Sequence, residues 1–270
     1  MRRIISKEAD VYIREHFETE SYQSLGEKFG VTERQMRGHI NNMGWTKRRA
    51  VDSHYFDEID TPEKAYWLGF IYADGYICGS LEQGDVRGAE LGMELQTQDR
   101  YILELLSRDL GGECSIVHYE RDKQMGDYSF HTSSDAIRIY SKSLCRGLAQ
   151  NGVVKQKTLS AEHPRPTKYL SDFVRGYLDG DGCIYISPRN HCVVSFTCAN
   201  KEFLQWISGL VAAELGIEGS LYTEKDRKHR LMYYRENDAR EFLNWVYHGC
   251  GDHKLLRKYN IYKSFYGLAV

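Results

Sequence analysis

One twelve-residue pattern occurs twice, and it limits the fold more than any other feature of the chain. The first copy is Tyr66-Trp67-Leu68-Gly69-Phe70-Ile71-Tyr72-Ala73-Asp74-Gly75-Tyr76-Ile77, the second Phe173-Val174-Arg175-Gly176-Tyr177-Leu178-Asp179-Gly180-Asp181-Gly182-Cys183-Ile184. Both are apolar and aromatic, with a glycine five residues before an Asp-Gly pair, and Asp74 and Asp181 stand 107 residues apart. The segments downstream of the two copies also match. Strand-like runs at 76–81 and 90–96 and a helix at 99–110 come after the first; runs at 183–187 and 191–197 and a helix at 200–215 come after the second. Asp99 and Asn200 are the expected N-caps. Two more strands come next in each half, at 113–119 with 128–131 and at 219–224 with 229–234, and a helix closes each half. The pattern is α-β-β-α-β-β-α, twice. The fold class is therefore α+β, with repeats at 62–160 and 161–270 and the prolines 164 and 166 in the joint at 160–167.

Of 270 residues, 41% are hydrophobic and 27% charged, which excludes wholesale disorder and a fibrous repeat. The best apolar stretch, 65–73, is half the roughly 18 residues of a membrane span. Lys7 and Glu8 arrive before a signal region can form, so the expected location is intracellular and cytoplasmic. Seven cysteines with no C-x-x-C pair argue against a disulfide framework. His248, Cys250 and His253 fall close together, but without a second ligand pair zinc is not expected there.

Net charge is −2 but unevenly placed: residues 1–49 are net +3, 50–160 net −7 and 161–270 net +2. Nucleic-acid binding must therefore come from local patches. Residues 7–45 read as three short helices of a small all-α domain, 1–49, joined by a linker at 50–61. Val11, Ile13 and Phe17 supply apolar positions in the first; Tyr22, Leu25 and Phe29 form a stripe closed by Gly30. Thr32 is a good N-cap for the third helix, with Met36, Ile40 and Met43 inward. The short Gly-containing turn gives a helix-turn-helix pattern. Its outer face shows Arg34, Gln35, Arg37, His39 and Asn41, donors able to reach phosphates and base edges, and Lys47, Arg48 and Arg49 follow.

The two Gly-x-x-x-x-Asp-Gly helices with matching flanks resemble the paired signature of the LAGLIDADG homing endonucleases, over roughly residues 55–260. The front segment resembles helix-turn-helix modules appended to phage-type endonucleases and regulators. The family resemblance implies two signature helices packed at a pseudo-twofold axis, with Gly69, Ala73, Gly176 and Gly180 allowing close approach, and a DNA-binding saddle of two sheets. It implies that Asp74 and Asp181 hold a divalent cation, with Ala73 and Gly180 beside them in the metal site. Oxygen ligands select Mg²⁺ (or Mn²⁺), which activates water and stabilises the leaving 3′ oxygen. Asp179 has no acidic counterpart, since Tyr72 holds its place, and is read as packing or polar support. The resemblance further implies polar residues Gln96 and Thr197 at the second-strand ends, and basic residues Lys157 and Lys258 near the metals, with Lys155 and Arg257 as alternatives.

Alternation turns Leu91, Met93 and Leu95 inward and Glu90, Glu94 and Gln96 outward; in the second half Val194 and Phe196 go in and His191, Val193, Ser195 and Thr197 out. Tyr76, Ser80, Gln96, Tyr185, Ser187, Arg189, Arg227, Lys228 and Arg230 are then the candidate DNA-facing residues of the sheets. The acids at 90 and 94 are out of place on such a face unless they accept from cytosine N4. Three activities compete: a site-specific double-strand endonuclease, a non-cleaving regulator, and an intron maturase. Both acids favour the first. The helix-turn-helix pattern favours double-stranded DNA over RNA. An intein is not expected, for want of a first nucleophile and a final His-Asn. One chain with both halves is expected to act as a monomer on a long asymmetric site.

Overall fold

The computed structural model of the chain describes residues 5–17, 20–45, 51–82, 88–112, 114–125, 128–154, 162–223 and 228–267. Lys155, Lys157, Arg227 and the run Lys47-Arg48-Arg49 lie outside the described residues. The chain divides into two compact units, Met1–Val51 and Asp52–Val270.

In the first unit α1 (Lys7–His16), α2 (Tyr22–Phe29) and α3 (Glu33–Asn42) enclose Ile5, Ile13, Phe17, Leu25, Met36 and Ile40. Each begins at a hydroxyl cap: Ser6, Ser21 and Thr32 accept the N–H of Ala9, Ser24 and Gln35. Thr32 and Gln35 form a reciprocal capping box. Gly30 ends α2 with φ 67°, a left-handed conformation that glycine adopts without strain. Met43 was expected inside but is 40% exposed, because α3 has already ended at Asn42.

The second unit runs α4 (Pro62–Asp74), β1 (Gly75–Gly79), β2 (Ala89–Gln96), α5 (Arg100–Asp109), β3 (Ile116–Met125), β4 (Tyr128–Tyr140) and α6 (Lys142–Gln150). It continues α7 (Leu170–Gly180), β5 (Gly182–Ile186), β6 (Cys192–Cys198), α8 (Lys201–Leu215), β7 (Ser220–Thr223), β8 (His229–Tyr233), α9 (Glu236–Tyr247) and α10 (Leu256–Tyr266). Two four-stranded antiparallel sheets result, ordered β1-β2-β4-β3 and β5-β6-β8-β7, so the repeat is one topology used twice. The stretch expected as a linker already belongs to this unit. Tyr55 and Phe56 are buried, and Asn151 Nδ2 donates to Phe56 O at 2.8 Å.

Nothing positions the site more than the crossing of α4 and α7. Every residue from Ala65 to Ala73 is buried, as an all-round apolar helix requires. A Cβ on Gly69 would lie 2.1 Å from Phe173 O, and one on Gly176 would lie 2.0 Å from Tyr66 O. Backbone thus meets backbone at both glycines, and one turn further a Cβ on Gly180 would lie 2.2 Å from that of Ala73.

Three elements depart from expectation. β3 and β4 run to 10 and 13 residues, well past the expected 113–119 and 128–131, and acids and bases on these strands pair with one another. The second half closes with two helices, α9 and α10, rather than one. Asp99 makes no capping bond; its buried carboxylate accepts Arg257 Nε at 3.0 Å instead. Asn200 does cap α8, accepting Phe203 N–H at 3.0 Å. Among the described residues no helix is long and apolar enough to cross a membrane.

Candidate active site and nucleic-acid interface

Each signature helix ends by delivering one carboxylate to solvent. Asp74 is the last residue of α4 and Asp181 the first beyond α7; both are exposed, although both helices are buried behind them. The glycine contact brings the ends together: a Cβ on Gly180, the residue before Asp181, would stand 3.3 Å from Asp74 Oδ2. Carboxylates at the adjoining ends of two closely packed helices would suit a hard divalent cation, which would relieve their mutual repulsion and take water and phosphate as further ligands. Gly180 has only its carbonyl to offer such an ion, and that oxygen already accepts from Lys258 Nζ at 3.1 Å.

Lys258 was expected to face water or phosphate and does not. It is 4% exposed, and its ammonium donates to the carbonyls of Leu178 (2.7 Å), Asp179 (2.7 Å), Gly180 (3.1 Å) and Gly182 (2.5 Å). Burial pushes its pKa down to about 8, against the pull of Asp179. The reason is that a helix leaves its last carbonyls unpaired, and here α10 brings a cation to them. Asp179 is wholly buried, accepting Leu255 N–H (2.7 Å), Tyr66 O–H (3.1 Å) and Tyr247 O–H (3.3 Å). Burial raises its carboxyl to about 6 despite Lys258 nearby. Arg257, the alternative base, is half-exposed and paired to Asp99.

Gln96 and Thr197 are exposed at the ends of β2 and β6. Tyr76 and Tyr185 stand 40% and 38% exposed on the outer faces of β1 and β5. Gly92 makes room for the Tyr76 ring, since a Cβ there would lie 2.1 Å from Tyr76 Cζ. Ser187 accepts His191 N–H at 3.1 Å and so closes a turn that carries the exposed Arg189. Lys228 is exposed and Arg230 half-buried in β8, in register with Thr197.

Four residues expected to face outward do not. Ser80 lies just past β1 and is 7% exposed, its Oγ turned to Glu82 N–H, so it does not face outward. Val193 and Ser195 are buried, because β6 is a central strand whose register neighbours Tyr185, Cys183 and Met232 flank them. In the first unit Arg34 and Arg37 are exposed as expected, Arg37 donating to Glu33 at 2.6 Å. His39 is partly buried and bonded to Asp10 Oδ1 at 2.7 Å, tying α3 to α1 rather than facing out.

Arg121 and Arg138 are the residues that sequence reasoning missed. Arg121 Nη1 and Nη2 both donate to Glu94, which also accepts Ser134 Oγ at 2.6 Å; Arg138 Nε lies 3.8 Å from Glu90. The outward acids of β2 are thus answered by arginines, Arg138 from the adjacent β4 and Arg121 from β3 across it. In β4 Arg138 stands opposite Gly92, on the face of the outward acids of β2, a pairing that no apolar period in the sequence marks. Farther from the site, His253 Nε2 and Trp67 Nε1 converge on Asp109 Oδ2 at 2.6 and 2.8 Å. Among the described residues no three His, Cys, Asp or Glu side chains are grouped to hold a metal.

Residues 168–246, most of the second repeat, match the family model of the LAGLIDADG-like domain. No curated protein matches the chain. Among solved structures, the meganuclease I-SmaMI bound to uncleavable DNA with a TTCT central four is similar over 75% of this chain and 89% of that one, at 16% identity and TM-score 0.51. The same enzyme on DNA with a TTGT central four covers 77% and 88%, at 15% identity and TM-score 0.50. I-DmoI in complex with DNA and Ca covers 76% and 94%, at 15% identity and TM-score 0.46. The chain has the two-repeat fold of the single-chain LAGLIDADG meganucleases.

Proposed function

We propose that this chain, whose second repeat is a LAGLIDADG-like domain, is a site-specific homing-type endonuclease that cuts both strands of double-stranded DNA. The observation that carries this is the delivery of one exposed carboxylate from each of two helices that meet backbone to backbone. Asp74 and Asp181 would hold a divalent cation, Mg²⁺ or Mn²⁺, which supplies acidification of water and charge neutralisation at the leaving 3′ oxygen. Gln96 and Thr197 orient water at the scissile phosphates, and Lys157 serves as the basic residue of the first repeat. Ala73 and Gly180 act chiefly by letting the two acids approach.

The outer sheet faces supply the saddle. Tyr76, Tyr185, Arg189, Lys228, Arg230, Arg121 and Arg138 read the duplex there, because a two-stranded ribbon fits the major groove. Arg34 and Arg37 of the first unit add phosphate or base contacts as a helix-turn-helix reader. A single chain with unlike halves acts as a monomer on an asymmetric target.

Cleavage of a randomised DNA library with Mg²⁺, by the intact protein and by Asp74→Asn and Asp181→Asn, tests this. Discrete cuts with 3′ overhangs, absent in either variant, are expected. Selection of a specific sequence with no cut by any of the three proteins overturns the reading in favour of a regulator.

A further inference from the structure

The two signature helices are chemically unlike on their buried sides. At the 107-residue spacing Arg175 corresponds to Leu68 and Asp179 to Tyr72, so only α7 brings charge inward. Arg175 is 1% exposed and donates to His253 O (2.7 Å), Val246 O (2.8 Å) and Asp172 Oδ1 (2.7 Å). Asp179 accepts from Tyr247 and from Leu255 N–H. Together they bind the end of α9 and the segment after it against α7. That segment leads into α10, whose first turn carries Lys258. Such buried charges are costly unless fully paired, and each of these is tied to backbone groups of one segment.

Resting on the endonuclease reading, we infer that Lys258 is a positioning residue. Arg175 and Asp179 seat its ammonium on the carbonyls of residues 178–180 and 182, and this holds Asp181 where it must stand beside Asp74. The four carbonyls bracket Asp181 on both sides in sequence, so the lysine spans the turn from α7 into β5. A buried ammonium with these partners is directed at the backbone, not at the phosphate. Its contribution is to keep one carboxylate preorganised, which lowers the cation concentration the site requires.

Hydrogen exchange and cleavage on the full chain test this together. Lys258→Met is expected to raise exchange by about tenfold in peptides covering 178–184 while leaving those covering 71–77 unchanged. The Mg²⁺ concentration for half-maximal cleavage of the selected target rises by about tenfold. Metal-free DNA affinity shifts by less than about threefold, since no phosphate contact is lost. Lys258→Arg restores part of both effects. Should Lys258→Met fail to fold, Asp179→Asn loosens the same clamp and gives the same exchange pattern. Unchanged exchange at 178–184, or DNA affinity falling in step with cleavage, overturns the assignment. A wild-type chain that cuts nothing defeats the endonuclease reading instead, and exchange still decides what the lysine does.

Discussion

Gly69 and Gly176 set how closely the two acid-bearing helices approach, and the effect of a single methyl group there can be worked out. Alanine at 69 would place its Cβ 2.1 Å from a carbonyl oxygen of the opposing helix, which is backbone and cannot swing aside. The helices must part, at a cost of about 1–3 kcal/mol. Gly69→Ala should therefore lower the melting temperature by roughly 2–4 °C per kcal/mol lost. Gly209 in α8 is the control, for a Cβ there meets nothing within 4 Å. Gly209→Ala should melt no lower than wild type, given alanine's helix propensity. Equal losses in the two variants would show that the crossing is not tightly packed. The small residues were legible in sequence because their four-residue spacing is a local property of a helix. The burial of Lys258 was not, because a lysine in a charged helix turn reads as solvated until its neighbours are known.

At the scale of elements, the long β3–β4 ribbon is the largest departure from sequence reasoning, and its polar ladder makes it pH-sensitive. His118 bonds Glu120 at 2.7 Å and Asp135 at 3.2 Å, and Asp135 also accepts Arg100; His131 bonds Asp122 at 2.9 Å and Glu120. Glu120, then Asp135, raise the His118 pKa above its ordinary 6.5; Asp122, then Glu120, do the same for His131. Their stabilisation is complete below pH 6.5 and is lost as pH rises through the raised values. Glu120 is shifted the other way, chiefly by His118, so its contribution is present above its ordinary 4.5 and fades on acidification. The ribbon should be firmest between these limits. Exchange of amides at 116–125, corrected for intrinsic rate, should increase from pH 6 to pH 8, and His118→Gln with His131→Gln should flatten that rise. A rise of the same size in the double variant would refute the coupling. Alternation alone could not extend these strands, because polar residues occupy both faces and leave no apolar period to follow.

For the whole molecule the uneven charge becomes intelligible. In the first repeat Glu94 and Glu90 are matched by Arg121 and Arg138, and Glu120 and Asp122 by histidines, so on the proposed function its outer face adds little net attraction to phosphate. On that reading bulk affinity comes from elsewhere, and residues 1–49 carry the larger basic surplus, +3 against +2 for residues 161–270. A chain of residues 52–270 should bind the same target about 10²-fold more weakly, by loss of a tethered second contact. Its salt dependence should be shallower by about two phosphate equivalents, for Arg34 and Arg37. The cut positions should not move. Unchanged affinity after this truncation would remove the first unit from DNA recognition.

What the sequence by itself determined was whatever depends on near neighbours along the chain. The doubled motif, the caps at Thr32 and Asn200, and the facing of Leu91, Met93 and Leu95 all derive from periods and turns a few residues long. Tertiary structure alone decided which distant group meets which. Arg257 takes Asp99 from 158 residues away, Arg121 answers Glu94 from the far side of β4, and Lys258 abandons solvent for the end of a helix 79 residues earlier. Polar side chains have several possible partners, and only the packed fold selects among them, because burial penalises every partner left unmatched.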